Sequence, residues 1–318
     1  MECTTSDHHP VTHHEWRTAG TWHRGWMPSV LTAVAGGKTM RIGVLGTGNI
    51  GSMLARVFVQ VPECEVTVYN RSPAKAYALQ ADVPRLAVAG TAREVLAQSD
   101  IVFLCTKAQD GLALMADAGK HLRPDQDVVT TISTVSIAAW EALTPARIAI
   151  AIPSIVQEVR KGVILVAHGT RMAEADQERI ERLLAVAGVP FVIEESQIRV
   201  CSDLTSCGPA FIGHLLQVWA RQAASFGRIS AAEAEFLLNK TLIGLAAMLE
   251  SGATLRDIIT RVAVPAGVTE AGICAMTPLA RSMFAALHDA TWRRVQAQED
   301  TCGPKAGETA DNLSDAGG

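Results

Sequence analysis

The sequence has few aromatic residues, few charged residues and no long apolar run. Aromatic residues make up 5% of the 318 positions and charged residues 19%, whereas hydrophobic residues reach 48%. Such a chain does not belong to the disordered class, and its core must be mostly aliphatic. No apolar segment approaches the ~18 residues that a membrane-spanning helix requires. Residues 1–39 also lack a compact apolar signal core, so we expect a soluble, cytoplasmic protein.

Close cysteine pairs and an excess of positive charge are also lacking. The seven cysteines are scattered and never spaced as a pair of metal ligands. We therefore expect reduced, mostly buried thiols and no metal site. The net charge is -4, and no basic patch stands out between the two ends of the chain. Binding to nucleic acid is therefore not expected.

Both ends of the chain differ from the middle. Residues 1–39 show neither helical nor strand periodicity, and we interpret them as a disordered extension or as sequence upstream of a true start at Met40. Metal binding is the alternative for the five histidines of this segment, His8, His9, His13, His14 and His23. Residues 299–318 are rich in Gly, Asp and Ala and predict a disordered tail.

Between these ends, the chain changes character at about residue 197. Short aliphatic runs alternate with amphipathic segments up to that point, which is typical of strand-helix units around a parallel sheet. The predicted strands are 41–45, 65–69, 101–104, 127–132, 147–150, 162–166 and 191–193. The predicted later helices are 209–226, 231–250, 255–262 and 277 to about 296. We therefore predict an α/β fold with a Rossmann-type parallel sheet domain over 40–197 and an all-helical domain over 198–298.

The helical half has apolar faces that are too long for one helical hairpin to cover. This pattern favours a homodimer interface, with an internal core as the alternative. The helix predicted at 231–250 has clear end signals. Ser230 and Glu233 form a capping-box pattern at its start, and Ser251-Gly252 provides a stop.

A glycine-rich turn follows the first predicted strand and opens the next helix. The turn consists of Gly46, Thr47, Gly48, Asn49, Ile50 and Gly51. In this position Gly46 makes the tight turn, Gly48 lets a pyrophosphate approach the backbone, and Gly51 lets the helix pack against the strand. The helix N-terminus would hold the phosphates with its unpaired amides, so we predict a dinucleotide site.

The ends of the next two strands refine this prediction. The second strand ends in Asn70-Arg71-Ser72 and has no acidic residue there to accept a hydrogen bond from the ribose 2'-hydroxyl of NAD. A guanidinium with small polar neighbours suits a 2'-phosphate, so we predict NADP(H), with a solvated charge as the alternative for Arg71. Thr106 and Lys107 follow the next strand at the same edge of the sheet and are further candidates for contact with the cofactor.

With these residues in place, the chain resembles the pyrroline-5-carboxylate reductase family over residues 40 to about 295. The matching motifs are the glycine loop, Asn70-Arg71, Thr106-Lys107-Ala108, the run from Thr205 to Phe211, and the run from Pro265 to Thr269. The sequence of residues 202–211 is most similar to that of the late-competence (ComER-type) branch of the family. The ordered set is more specific than any single motif.

The resemblance implies hydride transfer from NADPH to the C=N bond of a cyclic imino acid, giving proline from 1-pyrroline-5-carboxylate. Thr269 would hydrogen-bond the imine side as the catalytic residue. The backbone amides around Gly267 and Val268, together with Thr269, would bind the substrate carboxylate. Without the resemblance, residues 265–269 would be read as a turn with Thr269 as a helix cap.

Two segments depart from the family pattern. Val264 and Val268 stand where the family has hydroxyl-bearing residues, and Ala266 replaces a glycine. Residues 152–156, Ile-Pro-Ser-Ile-Val, replace a Met-Pro-Asn-Thr-Pro loop beside the nicotinamide. Both changes concern the substrate and leave the cofactor residues intact.

Two other functions remain as alternatives. A β-hydroxyacid dehydrogenase needs a lysine acid/base on a glycine-rich helix, and Lys240 lies on a helix without that framing. A regulatory protein that binds NADP without turnover is the other, and the altered 264–268 segment favours it. We assign no role to His168 or His214.

Overall fold

The computed structural model describes residues 39–302, with side chains from 39 to 298. This part of the chain forms two compact units, one of residues 39–206 with 291–302 and one of residues 207–290. The expected division at 197/198 therefore differs from the one in the structure, because helix Ile198–Leu204 packs with the sheet through Ile198. The expectations for residues 1–38 and 303–318, including the N-terminal histidines, lie outside the described residues.

The first unit is built on an eight-stranded sheet with the order β3-β2-β1-β4-β5-β6-β7-β8. The chain runs outward from β1 in one direction through β2 and β3, then returns to the other side of β1 with β4. This reversal places a topological switch point between β1 and β4. The strands are β1 Met40–Leu45, β2 Cys64–Tyr69, β3 Ala87–Val88, β4 Ile101–Leu104, β5 Asp127–Thr130, β6 Arg147–Ile152, β7 Val163–His168 and β8 Val189–Val192.

The predicted fold class is confirmed, but the sheet is not parallel throughout. The pairing between β6 and β7 is antiparallel, with Ala149 opposite His168 and Ile152 opposite Leu165. The only regular element between these strands is the short 3-10 helix Ile155–Val159. A parallel crossover needs about a dozen residues or more, usually with a helix, so this short connection turns the chain back on itself.

Helices cover both faces of the sheet. They are α1 Asn49–Phe58, α2 Pro73–Asp82, α3 Ala92–Gln98, α4 Ala108–Ala118, α5 Ile137–Leu143, α6 Glu174–Leu184 and α7 Ile198–Leu204. Phe58 of α1 and Leu183 of α6 lie in the core of one face, whereas Met115 of α4 and Trp140 of α5 lie in the core of the other. Each face therefore has its own buried core.

The central strands β1 and β4 are mainly aliphatic because they are buried on both faces. Val44 and Phe103 lie in one core, and the next residues, Leu45 and Leu104, lie in the other. All four are at most 1% exposed. The pleat sends successive side chains to opposite faces, so a run with no polar residue satisfies both cores.

The second unit contains almost no buried side chains. Its helices are α8 Gly208–Ala224, α9 Ala231–Glu250, α10 Leu255–Val262 and the first part of α11, Val268–Cys302. Among residues 207–290, only Gly208, Ala220 and Ala234 are buried. Large apolar side chains are exposed instead, including Trp219 at 60% and Phe236 at 59%. Within residues 39–302, no helix has the length and apolar character needed to cross a membrane.

The ends of the helices follow the predicted signals in part. The capping box of α9 forms, since the Glu233 amide donates to Ser230 Oγ and the Ser230 amide donates to Glu233 Oε2. The last helix was predicted to start at 277, but α11 begins at Val268 and continues to Cys302. The Thr277-Pro278 pair looks like a helix start, whereas Pro278 actually lies inside this helix. Structure also continues four residues past 298, where the sequence indicated disorder.

A buried ion cluster closes the amino-terminal edge of the sheet. Asp127, at the start of β5, has a side chain only 2% exposed. Its two carboxylate oxygens accept hydrogen bonds from Arg147 Nε at 2.7 Å and from Arg179 Nη2 at 2.5 Å. Both arginines also pair with Asp176 of α6. The cluster ties three elements together at the edge opposite the glycine loop.

We predict that Asp127→Ala lowers the free energy of unfolding by about 2–4 kcal/mol, because it leaves two partly buried guanidinium groups with Asp176 as the one carboxylate of the cluster. Urea denaturation followed by circular dichroism measures this. The matched control is Asp117→Ala, which removes an exposed partner of Arg93 and should cost less than about 1 kcal/mol. Equal losses in the two variants would contradict the role given to the cluster.

Candidate functional site

The glycine loop after β1 has a backbone that only glycine fits at two positions. Gly46 has a φ of +97°, in the left-handed region that L side chains rarely adopt. A Cβ on Gly46 would lie 2.6 Å from the Cys105 carbonyl oxygen, and a Cβ on Gly51 would collide with the Gly46 carbonyl oxygen. The turn is therefore pressed between the end of β4 and the start of α1.

Gly48 differs from its two neighbours because nothing lies near it. A Cβ at Gly48 would have no heavy atom within 4 Å, and its φ of -74° is open to any residue. It is the N-cap of α1 without any side-chain cap, so the first amides of that helix have no partner inside it. Thr47 Oγ1 is buried and has no hydrogen-bond partner within the described residues. Open space beside unpaired donors fits the pyrophosphate of a dinucleotide.

Asn70 links the glycine loop to the end of β2. The Thr47 amide donates to Asn70 Oδ1 at 3.0 Å, and Asn70 Nδ2 donates to the Ser72 carbonyl at 3.1 Å. Ser72 is the N-cap of α2 and is exposed. Of the predicted site residues, Asn70 therefore holds the loop through its side-chain amide, and Ser72 contributes its backbone carbonyl.

Arg71 points into solvent and is paired. Its Nη1 lies 2.7 Å from Asp110 Oδ1, and the two side chains are 82% and 41% exposed. Asp110 lies in the first turn of α4. Sequence reasoning missed this partner, and the available signal was an acidic residue three positions after Lys107 at a helix start.

The segment after β4 completes this edge of the sheet. Cys105 donates its amide to Leu45 at 2.8 Å and packs under the glycine loop. Burial raises the pKa of the Cys105 thiol to about 12, so the group is a neutral packing residue at physiological pH. Thr106 is half-buried, and Lys107 is the exposed N-cap of α4. The predicted cofactor residues after β1, β2 and β4 thus meet at one edge.

A cavity of about 470 Å³ lies at the same edge, beyond the end of β5. The hydroxyl-bearing loop Ser133, Thr134 and Ser136 lines it, with Arg199 of α7 and Trp292 of α11. Strands are spaced about 4.8 Å apart, so β5 lies about 10 Å along the edge from β1. This cavity was not predicted from the sequence, although a run of hydroxyl-bearing residues directly after a buried strand could have indicated a polar site there.

The predicted substrate loop belongs to the second unit. Ala266 has a φ of +58°, a left-handed conformation that costs an alanine about 1 kcal/mol or more. Its amide donates to Glu270 Oε2 at 2.7 Å. Val268 is 92% exposed, and Thr269 is half-buried in the first turn of α11. Gly267 donates its amide back to the Val264 carbonyl at 3.0 Å.

The other candidate residues have ordinary surroundings. His168 Nε2 lies 2.9 Å from Glu181 Oε1 in the first unit. Lys240 Nζ lies 5.5 Å from the centre of the Phe236 ring on the same helix. His214 is exposed on α8. Among residues 39–302, no group of three or more His, Cys, Asp or Glu side chains is arranged to hold a metal ion.

Together, the sheet order and the glycine loop define a Rossmann-type dinucleotide-binding protein with a helical second unit. Comparison with protein families assigns residues 195–298 to "Pyrroline-5-carboxylate reductase dimerisation" and residues 41–134 to "NADP oxidoreductase coenzyme F420-dependent". The two matches cover the helical half and the start of the sheet half.

Individual relatives cover most of the chain. The ComE operon protein 4 of Bacillus subtilis is 32% identical over 249 residues, which is 77% of this chain and 91% of that protein. Pyrroline-5-carboxylate reductase 3 of the same organism is 26% identical and covers 83% of this chain and 98% of its own length. The structure of Plasmodium falciparum pyrroline carboxylate reductase with NADP bound has a TM-score of 0.68 at 16% identity, covering 84% of this chain and 100% of that one.

The chain belongs to the pyrroline-5-carboxylate reductase family. The resemblance to this family, and to its late-competence branch, is confirmed by these relatives. The solved structure, at its low identity, supports the fold alone.

The contrast between Gly51 and Gly48 gives a direct prediction about stability. We expect Gly51→Ala to lower the free energy of unfolding by about 1–3 kcal/mol or more, because its methyl group overlaps the Gly46 carbonyl. Gly48→Ala should change it by less than about 0.5 kcal/mol, because its position is open. Thermal and urea unfolding of both variants measures this. A larger loss for Gly48→Ala would contradict the loop geometry.

Proposed function

We propose that the chain is an NADPH-dependent reductase of a cyclic imine, namely 1-pyrroline-5-carboxylate or a related imino acid. The observation that carries the proposal is the glycine loop, whose open Gly48 and uncapped α1 amides sit at the switch point of the sheet. Membership of a family of reductases supports the reaction. The cofactor would supply the hydride, and the protein's residues would bind and orient both reactants.

Arg71 supports NADP as the cofactor. It follows β2, where NAD sites place an acid, and its side chain is 82% exposed and available to a 2'-phosphate. The α1 amides would hold the pyrophosphate, and Thr47 Oγ1 is a further buried group that lacks a partner within the described residues. Thr106 and Lys107 would border the cofactor at the end of β4. The matching family model is itself named for NADP.

The cavity beyond β5 is our candidate for the nicotinamide. A dinucleotide held at β1 extends along the carboxyl edge, and the cavity is about 10 Å further along that edge. Its volume of about 470 Å³ is in the range of small-molecule sites. The reaction needs few groups, because a protonated imine is already electrophilic.

Thr269 is the proposed catalytic residue, and the amides of Gly267 and Val268 are the proposed carboxylate ligands. The Gly267 amide donates to the Val264 carbonyl in this structure and would exchange that bond for the substrate carboxylate. The nearby Ala266 amide is already bonded to the Glu270 carboxylate, an internal acid at the place where a substrate acid would bind. Because the Glu270 carboxylate lies in this position, we propose the broader class of cyclic imines as substrates and not 1-pyrroline-5-carboxylate alone.

We also propose that two copies associate through the exposed apolar face of α8 and α9, defined here by Trp219, Phe236, Leu237 and Ile243. All four side chains are more than half exposed in the single chain. The matching family model is named for dimerisation and covers this region. A unit with so few buried residues gains its core from a second copy. The thiol state of Cys64, Cys105, Cys201, Cys207 and Cys274 fits a reducing cytoplasm.

The function is tested by NADPH oxidation with 1-pyrroline-5-carboxylate and a panel of five- and six-membered cyclic imines. We expect turnover in the wild type and none in Gly48→Asp, whose carboxylate would repel the pyrophosphate. Thr269→Ala should lower kcat/KM about tenfold to hundredfold by removing a hydrogen bond to the reacting imine.

Thr277→Ala is the matched control for Thr269→Ala. Thr277 lies on the same helix, and its hydroxyl donates to the Ile273 carbonyl at 2.8 Å, so its loss should leave turnover unchanged. NADPH binding without reduction of any imine would refute the catalytic proposal and favour a nucleotide-binding regulator.

The dimer is tested by light scattering. Phe236→Asp should weaken self-association by roughly a thousandfold, since about 2 kcal/mol is lost on each side of a symmetric interface. Tyr77→Asp is the control, because Tyr77 is similarly exposed, at 57%, on the sheet unit. A Phe236→Asp variant that remains as associated as wild type would contradict the proposed interface.

A further inference from the structure

The pairing of Arg71 with Asp110 bears on which dinucleotide the site prefers. Arg71 is the group that we assign to a 2'-phosphate, yet its Nη1 lies 2.7 Å from the Asp110 carboxylate. The two residues are 39 positions apart in sequence and come from different strand-helix connections. The carboxylate therefore reaches the site through the fold and not through local sequence.

Asp110 is held near this edge by the start of α4. The helix begins at Ala108, directly after Lys107, and Asp110 lies in its first turn. An acidic group in a first turn is favoured by the helix dipole, so the carboxylate has a stable place there without Arg71. Its side chain is 41% exposed and faces solvent at the rim of the site.

We propose that Asp110 is a selectivity residue that reduces the preference of this site for NADP over NAD. The inference rests on the proposed dinucleotide function. A 2'-phosphate bound to the same guanidinium would place its oxygens roughly 5 Å from the carboxylate, given ordinary charge-assisted hydrogen-bond lengths. The phosphate must displace the carboxylate or bind beside it, and either course weakens NADP binding. A carboxylate is also the group that accepts a hydrogen bond from the ribose 2'-hydroxyl in NAD sites.

The size of the effect follows from the exposure of the pair. Charges roughly 5 Å apart in a mostly aqueous setting interact weakly, so we expect a change of about threefold to tenfold in affinity and not a complete switch. The same exposure makes the effect sensitive to salt. The wild-type protein should thus bind both dinucleotides, with NADP favoured only moderately.

The experiment measures the Kd of NADP⁺ and NAD⁺ by calorimetry for wild type, Asp110→Asn and Arg71→Ala, without any substrate. Asp110→Asn should tighten NADP⁺ about threefold to tenfold and leave NAD⁺ unchanged or weaker, and raised salt should shrink this difference. Arg71→Ala should weaken NADP⁺ and leave NAD⁺ nearly unchanged.

Asp117→Asn is the matched control. Asp117 lies on the same helix, two turns further from the site, in an exposed pair with Arg93. Its replacement removes the same charge and should leave the ratio of the two Kd values unchanged. If wild type and Asp110→Asn both bind NADP⁺ and show the same ratio of the two Kd values, the proposed role of Asp110 is wrong, whereas the proposed function stands. A wild type that binds neither dinucleotide would overturn the proposed function and this inference with it.

Discussion

The uncapped amino terminus of α1 is the feature on which the proposed site depends. Its amides are turned toward the carboxyl edge of the sheet by a loop that passes between β1 and β4, and this passage requires glycine at 46 and 51. These amides have no partner inside the helix and remain available to water or a ligand. The two-faced aliphatic core holds β1 and α1 in place, and the ion cluster around Asp127 fixes the opposite edge. Binding of a dinucleotide is thus the property that the rest of the fold is arranged to support.

The second unit, unlike the sheet unit, has no buried core of its own within residues 207–290. Its helices are well capped, as at Ser230 and Thr254, but they bury almost nothing within residues 207–290. Capping and helix propensity alone do not stabilise such a unit, because most helical stability in proteins comes from packing. The proposed substrate loop lies in this unit, and Ala266 there adopts a conformation suited to glycine. The departures from the family pattern at residues 264–268 therefore lie in the second unit, whereas the loop of the first unit keeps its three glycines, Gly46, Gly48 and Gly51.

Much of the fold could be predicted from the sequence because the main strands are largely aliphatic runs. The glycine loop could be predicted because it directly follows a strand and opens a helix, and Gly46 and Gly51 are sterically required there. Other features could not be predicted. The strand Ala87–Val88 has only two residues and no run to detect. The reversed direction of β7 depends on connection length and not on hydrophobicity. The start of α11 was hidden by Thr277-Pro278, which imitates a helix start. The role of Asp110 was not predicted because its contact with Arg71 joins residues that are 39 positions apart in the sequence.

The most direct test of the central claim is a crystal structure of the full chain with NADP⁺. The account predicts pyrophosphate oxygens within about 2.7–3.2 Å of the first amides of α1, with the 2'-phosphate against Arg71 and the nicotinamide toward the cavity beyond β5. A dinucleotide bound elsewhere, with the α1 amides facing only solvent, would contradict it.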